Sequence, residues 1–433
     1  MRLPILILAA ASTLTLAACG GGGALPIEAT YGPTPTLVAP HKRLIPTLGV
    51  PKAVGWPAGA APTAAPGLRV ASFAGGLDHP RQLLLLSNGD VLVAESRSEP
   101  HKPKGFRDWA QQIVQKRSGA LGKSANRITL LRDADGDGVA ETRTVLVSGL
   151  NQPFGMAVIG NQLYVGNTDA VVRYPFTVGQ TRIAAPPAVV TDLPHGPGHW
   201  TRSLLASPDG GKLYVGVGSA SNIANLGMEA EAGRAAVWEV DLKTGAHRIF
   251  ASGLRNPNSP AWEPASKAMW VVVNERDELG DDLVPDYMTS VKDGGFYGWP
   301  WSYYGGHVDA RVKPQNPAMV AKAVAPDYAL GAHTASLGLH FYSGRALGPG
   351  YDGGAFVGQH GSWNRTPVSG YKVVFVPFAG GRPSGRAQDV LTGFLSADKK
   401  VRGRPVGVAQ DKAGALLVAD DVGGVIWRVT AAR

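Results

Sequence analysis

The chain of 433 residues has 57 glycines, 33 prolines, 17% charged and 44% hydrophobic residues, a composition typical of a globular, turn-rich protein with enough apolar residues for a core. Its formal net charge is +9, but lysine and arginine are scattered without a basic run, so we expect an anionic small molecule as a partner and no nucleic acid. The single cysteine, Cys19, excludes an intrachain disulfide, a thiolate metal site and a c-type haem attachment.

The first residues have the pattern of an export signal. One arginine, an apolar run from Leu3 to Leu16 and small residues before Cys19 are typical of a bacterial signal peptide rather than a membrane span. The LAAC sequence at 16–19 resembles a lipobox, so residues 1–19 are expected to be a lipoprotein signal peptide with Cys19 acylated; an ordinary signal peptide with a chance cysteine is the alternative. The prediction is a periplasmic protein held at a bacterial membrane only by a lipid anchor.

The next segment, residues 20–67, is rich in proline, alanine, threonine and glycine and shows no amphipathic period. This composition predicts a tether, with the folded domain over residues 68–433.

Short apolar runs that follow turn residues dominate the rest of the chain, and they predict strands. They lie at 90–96, 162–175, 212–219, 268–275 and 415–429. Helical patterns are almost absent; the sequence FRDWAQQIVQKRS at 106–118 predicts one short helix in an insertion, interpreted as a surface cover over a sheet edge.

Six crossing segments precede most of these strands. They are GLDHP at 76–80, GLNQP at 149–153, GPGHW at 196–200, GLRNP at 253–257, SLGLH at 336–340 and VRGRP at 401–405. Six units in roughly 365 residues give roughly 60 residues each, which leaves room for insertions. The predicted fold is all-β, a six-bladed β-propeller of four-stranded antiparallel blades, with residues 233–254 forming an outer hairpin around the turn Lys243-Thr244-Gly245.

The repeated frame Gly-Leu-x-x-Pro has a geometric interpretation. Glycine permits the positive φ needed where the chain leaves an outer strand, and proline keeps its predecessor extended as the chain enters the next inner strand. In a propeller these crossings surround the axis on one face, so the two variable residues of successive blades can line a common pocket.

Several motifs together resemble the glucose/sorbosone dehydrogenase family, six-bladed propellers that use pyrroloquinoline quinone (PQQ), with the L-sorbosone dehydrogenase branch as the most similar. The motifs are GHWTRSLLASPDGGKLYVGVGS at 198–219, GLRNPNSPAWEP at 253–264, NERDELGDDLVPDY at 274–287, DGGFYGWPWSYYG at 293–305 and HGSWNR at 360–365. The resemblance covers most of residues 68–430. It implies a PQQ-dependent dehydrogenase that oxidises a sugar or aldehyde by base-assisted hydride transfer to a calcium-activated quinone.

The resemblance implies that His199 is the general base, because the family has a histidine ahead of the strand that ends in SPDG. An imidazole suits this task, since its pKa lies near the working pH. A satisfied surface histidine at this place, or His195 as the base instead, are the alternatives.

The three carboxylates of PQQ call for guanidinium groups. By resemblance, Arg255 and Asn256 match an Arg-Asn pair at the cofactor, Arg402 and Arg404 match an Arg-x-Arg motif, and Asp420 lies where the family has an acidic partner. The alternative for these arginines is a purely structural role in ion pairs between blades.

HGSWNR replaces the segment in which some family members present a lysine to the quinone, so His360, Trp363 or Arg365 is expected at that place. Trp363 has a ring suited to stacking on a flat cofactor, although buried tryptophans are also common in blades.

Two acidic segments are candidates for Ca²⁺. The resemblance implies an ion near Asp277 and Glu278, where family members often have Gly-Pro, so either backbone or side-chain oxygens are possible ligands and solvated loop acids are the alternative. A second segment, DADGDGVAE at 133–141, has half an EF-hand pattern. Its candidate ligands are Asp133, Asp135 and Asp137, with Thr144 at the twelfth position. A calcium-stabilised hairpin loop and a plain Asp-Gly turn both fit it.

Two other functions compete with the dehydrogenase. A Ca²⁺-dependent lactonase would need acidic and amide ligands around the axis, where this chain has arginine and histidine. A non-catalytic binding propeller is the other possibility. No CxxCH sequence occurs, so a dehydrogenase would pass its electrons to a separate acceptor.

Overall fold

The computed structural model describes residues 25–41, 50–103 and 105–432. The predicted signal peptide and Cys19 lie outside the described residues. Within them, no helix is long and apolar enough to cross a membrane.

Short β-strands make up nearly all of the regular structure. In chain order the strands are β1 Tyr31–Gly32, β2 Thr63–Ala64, β3 Leu68–Ala74, β4 Pro80–Leu85, β5 Val91–Glu95, β6 Arg127–Arg132, β7 Thr142–Ser148, β8 Met156–Ile159, β9 Gln162–Gly166, β10 Ala170–Pro175, β11 Ala188–Asp192, β12 Arg202–Ala206, β13 Lys212–Val217, β14 Ala236–Asp241 and β15 His247–Ser252. They continue with β16 Pro257–Trp262, β17 Met269–Val273, β18 Pro285–Ser290, β19 Ser302–Tyr303, β20 His307–Val308, β21 Tyr328–Ala332, β22 Ser336–Phe341, β23 Gly354–Gln359, β24 Lys372–Ala379, β25 Arg382–Pro383, β26 Gln388–Thr392, β27 Pro405–Gln410, β28 Leu416–Asp420 and β29 Val425–Ala431. The helices are α1 Phe106–Arg117 and α2 Pro317–Val320, and the 3₁₀ helices are Ile27–Thr30, Met228–Glu231 and Pro349–Tyr351.

Most of these strands form six antiparallel blades, ordered along the chain from the axis outward except that β3 is the outer strand of the sixth; β19 and β20 form a separate two-stranded sheet. The blades are β4-β5-β6-β7, β8-β9-β10-β11, β12-β13-β14-β15, β16-β17-β18-β21, β22-β23-β24-β26 and β27-β28-β29-β3. The predicted six-bladed propeller is confirmed, as are the hairpin β14–β15 and the helix expected at 106–118. The second strand of a blade is packed on both faces by the neighbouring blades, so β5 and β17 are buried at every residue.

The ring is closed by the first strand of the predicted domain. Strand β3 pairs with β29 as the outer strand of the sixth blade, with Arg69 opposite Thr430. The two ends of the propeller sequence therefore share one sheet, and opening the ring at this point requires breaking a β-ladder.

The predicted tether over 20–67 is wrong for its described part, which packs on the propeller. Strand β1 adds to blade four and β2 adds to blade five. Between them, the Trp56 ring packs edge-on against Phe394 and Trp427 at centroid distances of 5.5 and 5.4 Å. The pattern has no period because these residues pair as single short additions to sheet edges, where proline and glycine are tolerated.

The glycines of the repeated frame have the expected backbone conformation. Gly76, Gly149 and Gly253 have φ values of 67°, 76° and 73°. Each stands where an outer strand hands the chain to the next inner strand. These crossings, and the loops that join the second and third strands of each blade, lie on the same face of the propeller, because successive strands run in opposite directions.

Candidate functional site

His199 lies on this face, in the crossing into blade three. Its Nδ1 is 3.0 Å from the carbonyl oxygen of Ser219, which can only accept, so Nδ1 carries the proton and Nε2 is the free acceptor. Burial, with the nearby charge of Arg255 as the next cause, lowers the pKa of His199 to about 3. The side chain is therefore a neutral base across the physiological pH range. His195, the alternative base, is exposed and lies against the carbonyl oxygen of Leu193.

Arg255 and Asn256 approach His199 from the next crossing. Gly218 separates them: a Cβ at that position would lie 2.3 Å from Asn256 Oδ1 and 2.5 Å from His199 Cβ. Arg255 is buried and donates to the carbonyl oxygen of Glu275 at 2.7 Å and to the Asn222 side chain at 3.0 Å. Asn256 Oδ1 is buried without a hydrogen-bond partner among the described residues. This unsatisfied acceptor faces the base, and an incoming ligand with a polar hydrogen can satisfy it.

Asp277 links Arg255 to the HGSWNR loop. Its carboxylate accepts from Asn364 Nδ2 at 2.7 Å and lies 3.4 Å from both His333 Nδ1 and Arg255 Nη2. Although burial acts in the opposite direction, His333 and Arg255 together hold the pKa of Asp277 well below its usual value. The ionised carboxylate is a positioning group in this loop network.

Glu278 points elsewhere. Its carboxylate and its carbonyl oxygen both accept from Arg311, at 2.8 and 2.9 Å, and the side chain is 51% exposed. The carbonyl oxygen of Asp277 accepts from Asn222 Nδ2 at 3.2 Å. The carboxylates of Asp277 and Glu278 diverge at this turn and do not converge on one ion. Each carbonyl oxygen has one donor and a second lone pair, so the calcium site expected here, with backbone oxygens as ligands, stays a prediction.

A second polar cluster lies between the first, fifth and sixth blades. Asp421 Oδ2 is 2.7 Å from His360 Nε2 and 3.2 Å from His79 Nε2, and it also accepts from Arg81. Burial is the main cause that lowers the pKa of His360 to about 4 and that of His79 to about 3. Arg81 lies over the ring of Trp200, 5.5 Å from its centroid, and so connects this cluster to the residue after His199.

Asp420, the acid expected at the cofactor, has a structural role instead. It accepts from the indoles of Trp56 and Trp427 at 2.6 and 3.0 Å and from the backbone N–H groups of Gly423 and Arg404, both at 2.8 Å. Its carboxylate is fully buried, and burial raises its pKa to about 6. Adjacent residues at a strand end face opposite ways, so the neighbouring Asp421 is the acid that faces the site.

The arginines expected at the cofactor differ in their surroundings. Arg404 is buried and holds the HGSWNR loop through the carbonyl oxygens of His360 and Gly361, at 3.0 and 2.9 Å. In the described part of the chain, Arg402 is half-buried with no partner for its guanidinium group. Trp363 is half-buried and makes no ring contact with any described residue. Both groups are available to a ligand.

Arg365 does not face the site. It is 1% exposed and donates to Asp282 at 2.8 Å, to the carbonyl oxygen of Asp281 at 2.9 Å and to that of Leu25 at 3.4 Å. The cofactor role expected for it is wrong, because the residue fixes the N-terminal segment to blade five.

The structure thus joins His199, Arg255, Asp277, the HGSWNR loop, Asp421, Arg81 and Trp200 into a ring of contacts around the axis. The sequence identified His79 only as a pocket-lining residue of a repeated frame, and it did not identify Arg81, Asn222, His333, Asn364 or Asp421. His79 and Arg81 flank the proline of GLDHP and were detectable as polar residues in a repeated frame; the others belong to loops without a repeated pattern.

The acidic loop at 133–141 lies on the opposite face, between the third and fourth strands of blade one. Asp133, Asp135, Asp137 and Glu141 present carboxylate oxygens within 4.8 Å of one another, the one such group among the described residues. Glu141 is the fourth candidate ligand, whereas the hydroxyl of Thr144 donates to the carbonyl oxygen of Thr181 at 3.3 Å.

Comparison with known proteins places this site in a family context. A family model described as TrAA12-like matches residues 112–290 and 309–432. An uncharacterised protein of Borreliella burgdorferi is 27% identical over 382 residues, covering 80% of this chain and 95% of that protein. The pyrroloquinoline quinone-dependent pyranose dehydrogenase of Coprinopsis cinerea is 25% identical over 356 residues, covering 72% of this chain and 44% of that enzyme, so the chain spans less than half the length of that relative.

Solved structures share the fold. The iodide structure of a Trichoderma reesei enzyme of carbohydrate-active family AA12 has a TM-score of 0.70 at 21% identity, covering 86% of this chain and 98% of that one. The holo PQQ domain of the C. cinerea pyranose dehydrogenase has a TM-score of 0.69 at 21% identity, covering 86% and 97%. The sorbosone branch stays a prediction, but the resemblance to PQQ-dependent sugar dehydrogenases is confirmed. The chain belongs to the TrAA12-like family.

Proposed function

We propose that this protein is a PQQ-dependent dehydrogenase that oxidises a sugar or an aldehyde hydrate, with His199 as the general base. The observation that carries the proposal is the arrangement of a half-buried neutral imidazole with a free Nε2 beside an arginine and an unsatisfied amide oxygen. Family membership supports the same chemistry.

The residues in the ring of contacts around the propeller axis fit a flat ligand with several negative charges. Arg81, Arg255, Arg402 and Arg404 surround the axis, whereas the ionised acids there are Asp277 and Asp421. The positive excess favours a ligand with several carboxylates. Asn256 Oδ1, buried and unpartnered, offers an acceptor, and the ring of Trp363 is free of other aromatic contacts among the described residues.

Arg255 and Asn256 would hold PQQ on the His199 side, and Arg402, Arg404 and His360 would hold it on the side of blades five and six. The cofactor, when bound, supplies a quinone that accepts a hydride, and with it two electrons. A bound anion beside Arg255 would offset part of the positive charge that lowers the pKa of His199, although burial is the larger cause of that lowering.

His199 performs the proton transfer. The hydroxyl proton of the substrate moves from oxygen to Nε2, while Nδ1–H stays on the Ser219 carbonyl oxygen. This fixed hydrogen bond prevents the ring from turning its protonated nitrogen toward the substrate. The guanidinium group of Arg81 packs over the rings of Trp200 and Phe154, next to the base.

The carboxylates of Asp277 and Glu278 do not fit as paired ligands, so a Ca²⁺ at this axial turn would be held by backbone carbonyl oxygens, and we assign no step to it. The same geometry disfavours a lactonase: the axial acids Asp277 and Asp421 are each engaged by arginine and histidine nitrogens, which occupy the places of a metal ion. We also propose Ca²⁺ at the loop of Asp133, as a stabilising ion.

The test uses purified protein reconstituted with PQQ and Ca²⁺. Cofactor binding is measured by calorimetry, and dye reduction is followed with aldoses, sorbosone and simple alcohols. We expect binding and turnover, with kcat reduced at least about 100-fold in His199→Ala and cofactor affinity nearly unchanged. Absence of binding at micromolar PQQ would refute the dehydrogenase, and turnover that survives His199→Ala would remove the base assignment alone.

We also propose, from the N-terminal sequence, that the protein is exported, is acylated on Cys19 and passes its electrons to a separate acceptor. Metabolic labelling with a fatty acid in cells tests this, with Cys19→Ala as the control. Label that persists in the variant would refute acylation at Cys19.

A further inference from the structure

The crossing that carries His199 is one of the three that lack the Gly-Leu-x-x-Pro frame. Its residues 194–201 contain Gly196 and Gly198 with φ values of 111° and 87°. A Cβ on Gly198 would lie 2.4 Å from the carbonyl oxygen of Ala220, so the loop is pressed against the backbone of the loop after β13. A segment with two such glycines has many alternative conformations and needs an external restraint to hold one of them.

Two arginines supply this restraint. Arg202 Nη1 donates to the carbonyl oxygens of His199 and Thr201, both at 2.9 Å, and its Nη2 donates to that of Pro194 at 2.6 Å. Arg234 donates to the carbonyl oxygen of Pro197 at 2.7 Å and to that of Pro194 at 3.3 Å. Both ends and the middle of the loop are therefore tied to planar guanidinium groups.

Neither arginine has an ordinary reason to be buried. Arg202 is 0% and Arg234 6% exposed, and neither forms an ion pair with a carboxylate among the described residues. Burial lowers the pKa of Arg202 to about 9. Glu231 acts on Arg234 and Asp169 on Arg202 only from beyond ion-pair distance, so burial of these charges costs stability. Residues that cost stability in this way are expected where the loop geometry they enforce is useful.

The loop geometry that the two arginines enforce sets the position of the His199 ring relative to Ser219. The backbone N–H of His199 and its Nδ1 both donate to the carbonyl oxygen of Ser219, at 3.0 Å each. These bonds form only if the backbone of His199 is held at this distance from Ser219, and Arg202 fixes the carbonyl oxygen of the same residue.

We propose that Arg202 and Arg234 are positioning residues that clamp the 194–201 loop and hold His199 in the Nδ1–H tautomer with Nε2 free. The clamp and the tautomer of His199 do not depend on the proposed function. Only the catalytic role of the free Nε2 rests on it. Other charges near the ring are Arg255, which faces it from the crossing into blade four, and Asp277, from the loop after β17.

The test compares Arg234→Gln with Arg234→Lys, and uses Arg248→Gln as the control. Arg248 lies on the outer strand of the same blade, where it pairs with Glu239 and Asp293 and does not approach the loop. Arg234 is chosen because loss of the fully buried Arg202 risks unfolding. Long-range ¹H–¹⁵N spectra of the histidine rings in cofactor-free protein, assigned with His199→Asn, report tautomer and protonation.

In the native protein and in Arg248→Gln we expect one tautomer, Nδ1–H, with no titration between pH 5 and 8. In Arg234→Gln we expect a second tautomer and a higher pKa of His199, with Arg234→Lys between the two. With PQQ and substrate, Arg234→Gln should lose about 10-fold in kcat with little change in KM. An unchanged tautomer in Arg234→Gln, with only a lower melting temperature, would overturn the proposal; lack of turnover in the native protein would refute the dehydrogenase and leave the ring spectra decisive for the clamp.

Discussion

Trp56→Phe tests the finding that the N-terminal segment is part of the propeller. The substitution keeps an aromatic ring next to Phe394 and Trp427 but removes the indole N–H that donates to Asp420 Oδ2 at 2.6 Å. A hydrogen bond to a buried ionised group contributes about 1.5–3 kcal/mol, and one between neutral groups about 0.5–1.5 kcal/mol. We therefore expect the loss of stability to depend on the charge of Asp420.

The direction of the pH dependence follows from the pKa of Asp420, which burial raises to about 6 in the folded protein. An acid with a raised folded pKa binds its proton more tightly in the folded state, so its ionisation destabilises the fold progressively as the pH rises from about 4 to above 6. A pKa difference of roughly 2 corresponds to about 3 kcal/mol. Removing a donor raises this pKa further and enlarges the cost at high pH.

Urea denaturation at pH 8 and at pH 5 measures the effect. Trp56→Phe should lose about 2 kcal/mol of unfolding free energy at pH 8 and about 1 kcal/mol at pH 5. Trp301→Phe is the control, because its indole donates to a neutral carbonyl oxygen, that of Pro314, at 3.1 Å. Its loss should be below about 1 kcal/mol and independent of pH. Equal losses of Trp56→Phe at both pH values, or a loss no larger than that of the control, would refute the assigned role.

Three further changes test the remaining assignments. Asp421→Asn removes the charge shared by Arg81, His79 and His360 and should cost about 3–5 kcal/mol by urea denaturation; a loss below about 1 kcal/mol would contradict the cluster. Calcium at about 100 times its dissociation constant should stabilise the protein by about 2.7 kcal/mol, seen as a higher melting temperature that chelator reverses and Asp135→Asn abolishes; no shift in the native protein would leave the acidic loop a plain turn. Glu278→Gln should leave PQQ affinity and kcat within about twofold, because its carboxylate pairs with Arg311 at the surface, and a large loss of activity would make this carboxylate a ligand of the calcium expected there.

The sequence alone determined the fold class and the positions of most strands, because both follow from local rules. Apolar runs between turn residues predict short strands, and Gly76, Gly149 and Gly253 stand where a positive φ is needed. The repeated frame directed the variable pair Arg255 and Asn256 toward the axis, and the family resemblance singled this pair out for the cofactor.

Only the tertiary structure decided the orientation of individual side chains and the pairing of distant segments. Asp420 and Asp421 are adjacent acids, and the direction of the chain at the end of β28 decides that one binds Trp56, 364 residues away, while the other faces the histidines. Arg365 was misassigned for the same reason: a motif fixes which residues are near the site, but the backbone torsions of a loop decide where each side chain points. Contacts between residues so far apart in the chain depend on blade packing, which no local pattern records.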